Sequence, residues 1–441
     1  MLLGIPFWLF QMLRHGKYRK GLGERLGGVP ARLRAVESSK DEASSSGPKL
    51  TPGPLIWMHA VSVGEILAVS GLAEEMRRRF PAHRIVVSTT TDTGQKLARQ
   101  RFGEENVFYF PMDFAFAIRP YLQALRPELI VIAETEFWPN FLRLGHDSGA
   151  AVAVVNARIS DRSWPNYRRF RWALRRMLAN VDLFLAQTPE DAARLQSIGA
   201  DAERVQVSGN LKFDIHLPAP PPIVESLRNS LGAPDAGPVL VCGSTVDGEE
   251  SLLVKAFENI LVAHPHAVMI LAPRHPERFD EVASLLRELD VPFWRRSLWQ
   301  GEAIAGGVLL VDTIGELASL YALADIAFVG GSLVPRGGHN IIEPALHGVA
   351  IVVGNHTENF RDIVGLFQSQ NALRIVGPAE LPLTFMELLA NDAERAALGQ
   401  RAAVTMRSQS GATQRTVEAL ETLLARNAAH NFPARSAAHN Q

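Results

Sequence analysis

The chain has 441 residues, 47% of them hydrophobic, so it is long enough for two or more domains with large cores and too apolar to remain disordered. Its formal net charge of −1 argues against a nucleic-acid partner held by bulk charge. The lone cysteine, Cys242 in the apolar run VLVCGS, excludes an intrachain disulfide and reads as a small core residue; no Cys/His set has zinc-ligand spacing, so no metal site is expected.

Residues 1–13, MLLGIPFWLFQML, are apolar but shorter than the roughly 20 residues of a spanning helix. Arg14, Lys17, Arg19, Lys20, Arg25, Arg32 and Arg34 follow, against Glu24 alone. Residues 1–35 are therefore expected to form an anchor at an anionic membrane surface, the alternative being a helix docked on a domain. The Ser/Pro/Gly-rich stretch 36–54 reads as a flexible linker.

In the region 55–215, strand-like runs at 55–61, 84–90, 106–111, 129–134, 151–157, 181–188 and 204–210 alternate with helical patterns at 66–80, 93–102, 117–126 and 188–199. Such alternation predicts a parallel sheet covered on both faces. In these sheets ligand-contacting residues collect past the carboxyl ends of the strands. His59, Ser62, Glu65, Thr89, Thr90, Asp113, Glu134, Glu136 and Asn156 fall there, and Lys212 follows the last strand. Between 167 and 177, five arginines (Arg168, Arg169, Arg171, Arg175, Arg176) surround Phe170 and Trp172 with no acid among them. That pattern suits a phosphorylated lipid or an anionic membrane; the alternative is a solvated helix with snorkelling arginines.

The Pro-rich run HLPAPPP opens a predicted hinge over 216–236. A second α/β region is expected over 237–427, with strands at 238–245, 267–273, 308–312, 325–329, 351–355 and 372–376 and a frayed tail over 428–441. Its most informative stretch is GGSLVPRGGHNIIEPALHG, 330–348. A strand, a glycine-rich loop and a helix starting near Asn340 make a candidate anion site, with Glu343 one turn in to accept from sugar hydroxyls. Asn340-x-x-Glu343 also has the spacing of a capping box, as does Ser62-x-x-Glu65. The fold class is α/β: two doubly wound Rossmann-like domains, with a cleft between them as the default ligand site.

Glycosyl transfer needs a base, a stabilised leaving phosphate and a held nucleotide. Glu65, Glu134 and Glu136 offer bases, while Arg274, Gly315-Glu316 and the segment near Asn340 offer the rest. Together, HAVSVGE (59–65), AETEFWPN (133–140), GNLKFD (209–214), PRHPER (273–278), DTIGEL (312–317) and GGHNIIEPA (337–345) resemble the 3-deoxy-D-manno-octulosonic acid (Kdo) transferases of lipopolysaccharide synthesis.

The resemblance runs from about residue 21 to 425. It implies a GT-B fold, CMP-Kdo as a donor substrate with no further cofactor, a lipid A precursor as acceptor, inversion at the anomeric carbon, and work at the cytoplasmic face of an inner membrane. Carried over by position, Glu65 matches the general base, Glu134 an acid supporting the transition state and Lys212 a cationic stabiliser. Pro273, Arg274, Ile314, Gly315, Glu316, Leu317, Asn340, Ile341, Ile342 and Glu343 match CMP-contacting positions. Many relatives carry Pro-Leu where this chain has Ile341-Ile342. The competing readings are a sugar-nucleotide epimerase of the same architecture and a membrane scaffold without catalysis.

Overall fold

The computed structural model describes residues 20–34, 53–161, 163–214, 221–231 and 237–437. The chain divides into two compact units, Met1–Ile215 with Ser410–Gln441, and His216–Gln409.

In the first unit, β1 (Leu55–His59), β2 (Arg84–Thr89), β3 (Val107–Tyr109), β4 (Leu129–Ala133), β5 (Ala151–Ala157), β6 (Leu183–Ala186) and β7 (Val205–Val207) form one parallel sheet in the order β3-β2-β1-β4-β5-β6-β7. Both faces are covered, which is why the strands read as unbroken apolar runs. Trp57, Phe108, Tyr121 and Phe141 pack on one face. Ile56, Met58, Ile66 and Leu72 pack on the other, joined there by Val417 and Leu420. Burial of each large side chain is worth roughly 1.5–3 kcal/mol.

The second unit repeats the design with β8 (Val239–Thr245), β9 (Val268–Pro273), β10 (Phe293–Arg295), β11 (Val308–Leu310), β12 (Ile326–Val329), β13 (Ala350–Gly354) and β14 (Arg374–Val376). Its order is β10-β11-β9-β8-β12-β13-β14. All neighbouring strands run parallel. The α/β class and the two-domain architecture are therefore as expected.

Several boundaries differ from the expected ones, each for a physical reason. The helix Ala412–Ala437 belongs to the first unit, so the second does not extend to 427 and the helix runs through the predicted tail. Asp214 Oδ1 accepts the Gly411 N–H at 2.7 Å and its other oxygen accepts from Thr413, holding the start of this helix, while Arg79 pairs with Glu421 at 2.7 Å. The predicted hinge contains a helix, Pro222–Leu231, with proline at its first position, whose Val224 and Leu227 are buried in the core of the second unit.

Residues 20–34, assigned to the anchor, are instead built into the first unit. Glu24 Oε2 accepts the N–H of Tyr109 on edge strand β3 at 2.7 Å, and Arg25, only 2% exposed, donates to the Thr90 carbonyl at 2.7 Å. The remaining anchor and linker assignments, 1–19 and 35–52, lie outside the described residues. Among the described residues no helix is long and apolar enough to cross a membrane.

Candidate active site

The parallel sheet of the first unit brings the ends of β1, β4 and β5 side by side, and with them three carboxylates. Ser62 caps the helix Val63–Arg79, and Glu65 sits in its first turn. Glu65 Oε2 accepts the Val61 N–H at 2.7 Å, and Oε1 accepts the Ser62 hydroxyl at 2.8 Å. The capping box and the candidate base are thus the same group: capping fixes the carboxylate, and each oxygen keeps a second lone pair. Burial raises the Glu65 pKa, and the nearby Glu134 charge adds to it.

Glu134 follows β4 in the left-handed region (φ 55°), as does Asn156 at the end of β5 (φ 53°). Non-glycine residues there are uncommon and cluster at functional sites. Glu134 Oε1 lies 3.4 Å from Lys212 Nζ, and both are half-buried. Lys212 rides on the 3₁₀ turn Leu211–Phe213, whose first N–H donates to Asn156 Oδ1 at 3.0 Å. Asn156 therefore positions the lysine that meets Glu134.

Glu136, a candidate base that the resemblance leaves without a role, is strongly perturbed. Burial first, then the charges of Glu65 and Glu134, push its pKa up to about 7. Its position in the ETE triplet was visible in the sequence, but its neighbours were not.

Other strand-end candidates turn out to be structural. Asp113 accepts the N–H groups of Asn140 (3.1 Å) and Phe141 (2.8 Å), capping the helix Pro139–Asp147, which the sequence reading had missed. His59 stacks on Phe110 at 3.9 Å, and burial drops its pKa to about 3, so it is a neutral packing group. The basic segment is two helices, Trp164–Arg169 and Arg171–Leu178, broken at Phe170. Its five arginines are exposed, as are Phe170 and Trp172, the latter 74% exposed.

In the second unit the donor candidates gather at the carboxyl ends of β9, β11 and β12. Pro273 is buried at the end of β9, and Arg274 is exposed beyond it with its N–H on the Thr245 carbonyl at 2.9 Å. His339 is neutral, its pKa lowered to about 4 by burial and then by Arg274 and His275; its Nε2 is buried without a hydrogen-bond partner. Glu343 is half-buried, and burial raises its pKa against the pull of Asn340 and Arg274.

The helix expected near Asn340 is only Ile342–Leu346, so its dipole is weak. Ile341 and Ile342 are buried, and Asn340 Oδ1 accepts the Ile342 N–H at 3.1 Å. In the loop after β11, Ile314 is 79% exposed and Gly315 has φ 93° with open space around it. Glu316 turns away to Arg296 at 2.8 Å, and Leu317 opens the turn Leu317–Leu320.

The glycine-rich loop itself overturns one expectation. Its first N–H groups do not face outward to an external anion. Those of Gly331, Ser332 and Leu333 all donate to the carboxylate of Glu249, which the sequence reading had left unassigned.

Comparison with known proteins bears on the family and the fold. Residues 20–215 match the family model described as 3-deoxy-D-manno-octulosonic-acid transferase (kdotransferase). The chain is 37% identical over 391 residues to a 3-deoxy-D-manno-octulosonic acid transferase of Bordetella pertussis, spanning 85% of this chain and 89% of that one. It is 34% identical over 376 residues to the enzyme of the same description from Haemophilus influenzae, spanning 84% and 88%. Among solved structures, a UDP-GlcNAc 2-epimerase from Neisseria meningitidis superposes with a TM-score of 0.53 at 13% identity, covering 83% of this chain and 100% of its own, a likeness of fold alone. With its two parallel seven-stranded sheets, and with these relatives aligned over most of its length, the chain belongs to the Kdo transferase family of GT-B glycosyltransferases.

Proposed function

We propose that this enzyme moves Kdo from CMP-Kdo to a hydroxyl of a lipid A precursor, with inversion, at the cytoplasmic face of an inner membrane. The observation that carries the proposal is the geometry of Glu65: a buried carboxylate aimed by two hydrogen bonds, with its basicity raised, beside the Glu134–Lys212 pair. Glu65 takes the proton of the acceptor hydroxyl as that oxygen attacks the anomeric carbon of Kdo. The bond from that carbon to the phosphate oxygen breaks, and CMP leaves with the electron pair. One displacement inverts the configuration.

Lys212, held by Asn156 and balanced by Glu134, supplies positive charge on the acceptor side. In the second unit Arg274 meets the phosphate, Asn340 and Glu343 meet ribose hydroxyls, and the open backbone at Ile314–Gly315 faces the base. Product analysis by mass spectrometry, with CMP-Kdo and a tetra-acylated lipid A precursor, tests donor and acceptor together. The acceptor is expected to gain Kdo with release of CMP. No product from that pair, with isomerisation of a UDP-sugar instead, would establish an epimerase.

An amphiphilic acceptor is supported by exposed apolar residues in the segments that follow β1, β3 and β5: Leu67, Phe116, Phe170 and Trp172. Residues 163–181 contain no acid, and a basic residue at an anionic membrane surface is worth about 1 kcal/mol. Replacing Arg168, Arg171 and Arg175 together by serine should weaken co-sedimentation with anionic vesicles about tenfold or more, an effect that fades at high salt. Unchanged co-sedimentation would return this surface to a solvated helix face.

Glu136 gives a pH signature. An acid whose folded pKa is raised, here to about 7 from 4.5, contributes stability that is full below the unfolded value and is lost as pH rises through the folded one. Wild-type stability should therefore fall between about pH 5 and about pH 8, by on the order of 1–2 kcal/mol after allowing for solvent screening. Glu136→Gln should flatten that fall in denaturation experiments. Parallel pH profiles for the two proteins would mean that burial and the neighbouring acids do not raise the Glu136 pKa.

A further inference from the structure

Backbone N–H groups converging on one point form a nest that binds anions, and a glycine-rich loop after a strand is a common place for one. Here the nest exists and is filled from inside. Glu249 stands at the start of the helix Glu250–Ala263 and is 0% exposed. Its Oε2 accepts from Gly331 at 2.7 Å and Val246 at 3.1 Å; its Oε1 accepts from Ser332 at 2.9 Å and Leu333 at 2.8 Å. The described residues include no ion pair to this carboxylate, so four peptide N–H groups hold its charge. A Cβ at Gly330 would stand 2.5 Å from the Ser244 carbonyl oxygen, 2.7 Å from the Thr245 Cα and 2.8 Å from Glu249 Oε2, which together explain glycine at that position.

The clamp propagates through the loop. Gly331 accepts the Gly338 N–H at 2.7 Å, and Ser332 accepts the His356 N–H at 2.9 Å. A Cβ at Gly331 would lie 2.8 Å from the His339 ring, so the clamped loop is the surface against which His339 packs. His339 in turn feels the charges of Arg274 and His275 and carries a buried Nε2 with no partner.

We propose that Glu249 is a positioning residue of the donor site: its carboxylate occupies the loop's anion nest and so sets His339 beside Arg274, leaving the donor's phosphate to those side chains rather than to the nest. This rests on the reading that the second unit binds a cytidine sugar nucleotide.

The test uses the full-length protein with Glu249→Ala and Glu249→Gln. CMP affinity is measured by calorimetry and stability by thermal melting, each with added formate or with chloride at equal ionic strength. Val254→Ala, a buried apolar truncation on the same helix, is the control for destabilisation alone.

Glu249→Ala is expected to weaken CMP binding about tenfold or more, because charge-assisted hydrogen bonds are lost from the loop. Formate, a carboxylate small enough for the vacated space, should restore much of both affinity and melting temperature, and chloride should not. Val254→Ala should melt earlier with CMP affinity intact. A folded Glu249→Ala with wild-type CMP affinity, or a loss that formate does not repair, overturns the proposal. If Glu249→Ala does not fold, Glu249→Gln decides: weakened CMP binding supports the proposal, and unchanged binding overturns it. Wild-type protein that binds no CMP overturns the functional reading and the donor part of this proposal, while formate-dependent melting of the Ala variant still reports on the nest alone.

Discussion

Glu65→Gln is expected to lower Kdo transfer by about 10²–10⁴-fold, the usual contribution of a general base. The amide fills nearly the same volume and keeps one oxygen able to accept the Val61 N–H or the Ser62 hydroxyl, so the fold should survive. It has no lone pair basic enough to take a proton. CMP affinity should stay at the wild-type value, since the donor contacts proposed above belong to the second unit.

Ser62→Ala separates the two roles of this helix start. It removes the cap and one orienting hydrogen bond, at a cost of about 1 kcal/mol, but leaves the carboxylate. Its activity should fall only a few-fold. Near-normal turnover in Glu65→Gln, or an equal loss in Ser62→Ala, would remove Glu65 from the chemistry and leave it as a helix cap.

What the sequence made legible follows from where each signal resides. The central strands carry their pattern locally: a strand buried on both faces is an apolar run, and nearly all of them were readable. Strand β10, Phe293–Arg295, was not, because three half-buried residues at a sheet edge, one of them arginine, have no such run. The helix Pro139–Asp147 lacked a local cap signal because its cap is Asp113, far upstream in sequence. The tail from 428 was expected to fray, yet the helix Ala412–Ala437 runs into it, and its attachment to the first unit rests on Val417 and Leu420 entering that core and on Asp214, none of which leaves a local mark.

The site divides in the same way. Glu65, Glu134 and Lys212 stand in motifs that could be matched by position. Glu136 owes its behaviour to two other acids brought near by the sheet. Glu249 carries no local sign of its role, because an acid at a helix start is ordinary where the dipole favours one. Three of its four N–H partners lie 82 to 84 residues further on and could not be seen without the fold.

Gly354→Ala carries the second large expectation, because it strikes the loop of the proposed donor site through one added methyl. Gly354 ends β13 where the chain at Ser332 crosses it. A Cβ there would stand 2.1 Å from the Ser332 carbonyl oxygen and 2.4 Å from the Leu333 nitrogen. Both are backbone atoms, so no side-chain rotation relieves the overlap, and the loop itself must shift. Two contacts resist that shift: the Gly354 N–H donates to Ser332 Oγ at 2.8 Å, and the Ser332 and Leu333 N–H groups donate to Glu249. Overpacking of this kind costs about 1–3 kcal/mol, and loosening the hydrogen bonds to a buried carboxylate adds about 1.5 kcal/mol or more.

The second unit should thus lose about 3–4 kcal/mol in denaturant unfolding, and CMP affinity should fall by about a hundredfold. Gly365→Ala is the matched control. It lies in the helix Arg361–Ser369 with nothing near its would-be Cβ, and alanine there should leave binding unchanged and add about 0.5–1 kcal/mol of stability. If Gly354→Ala binds CMP as well as Gly365→Ala does, the loop after β12 yields freely, and its fixed shape cannot be what places His339 and Arg274.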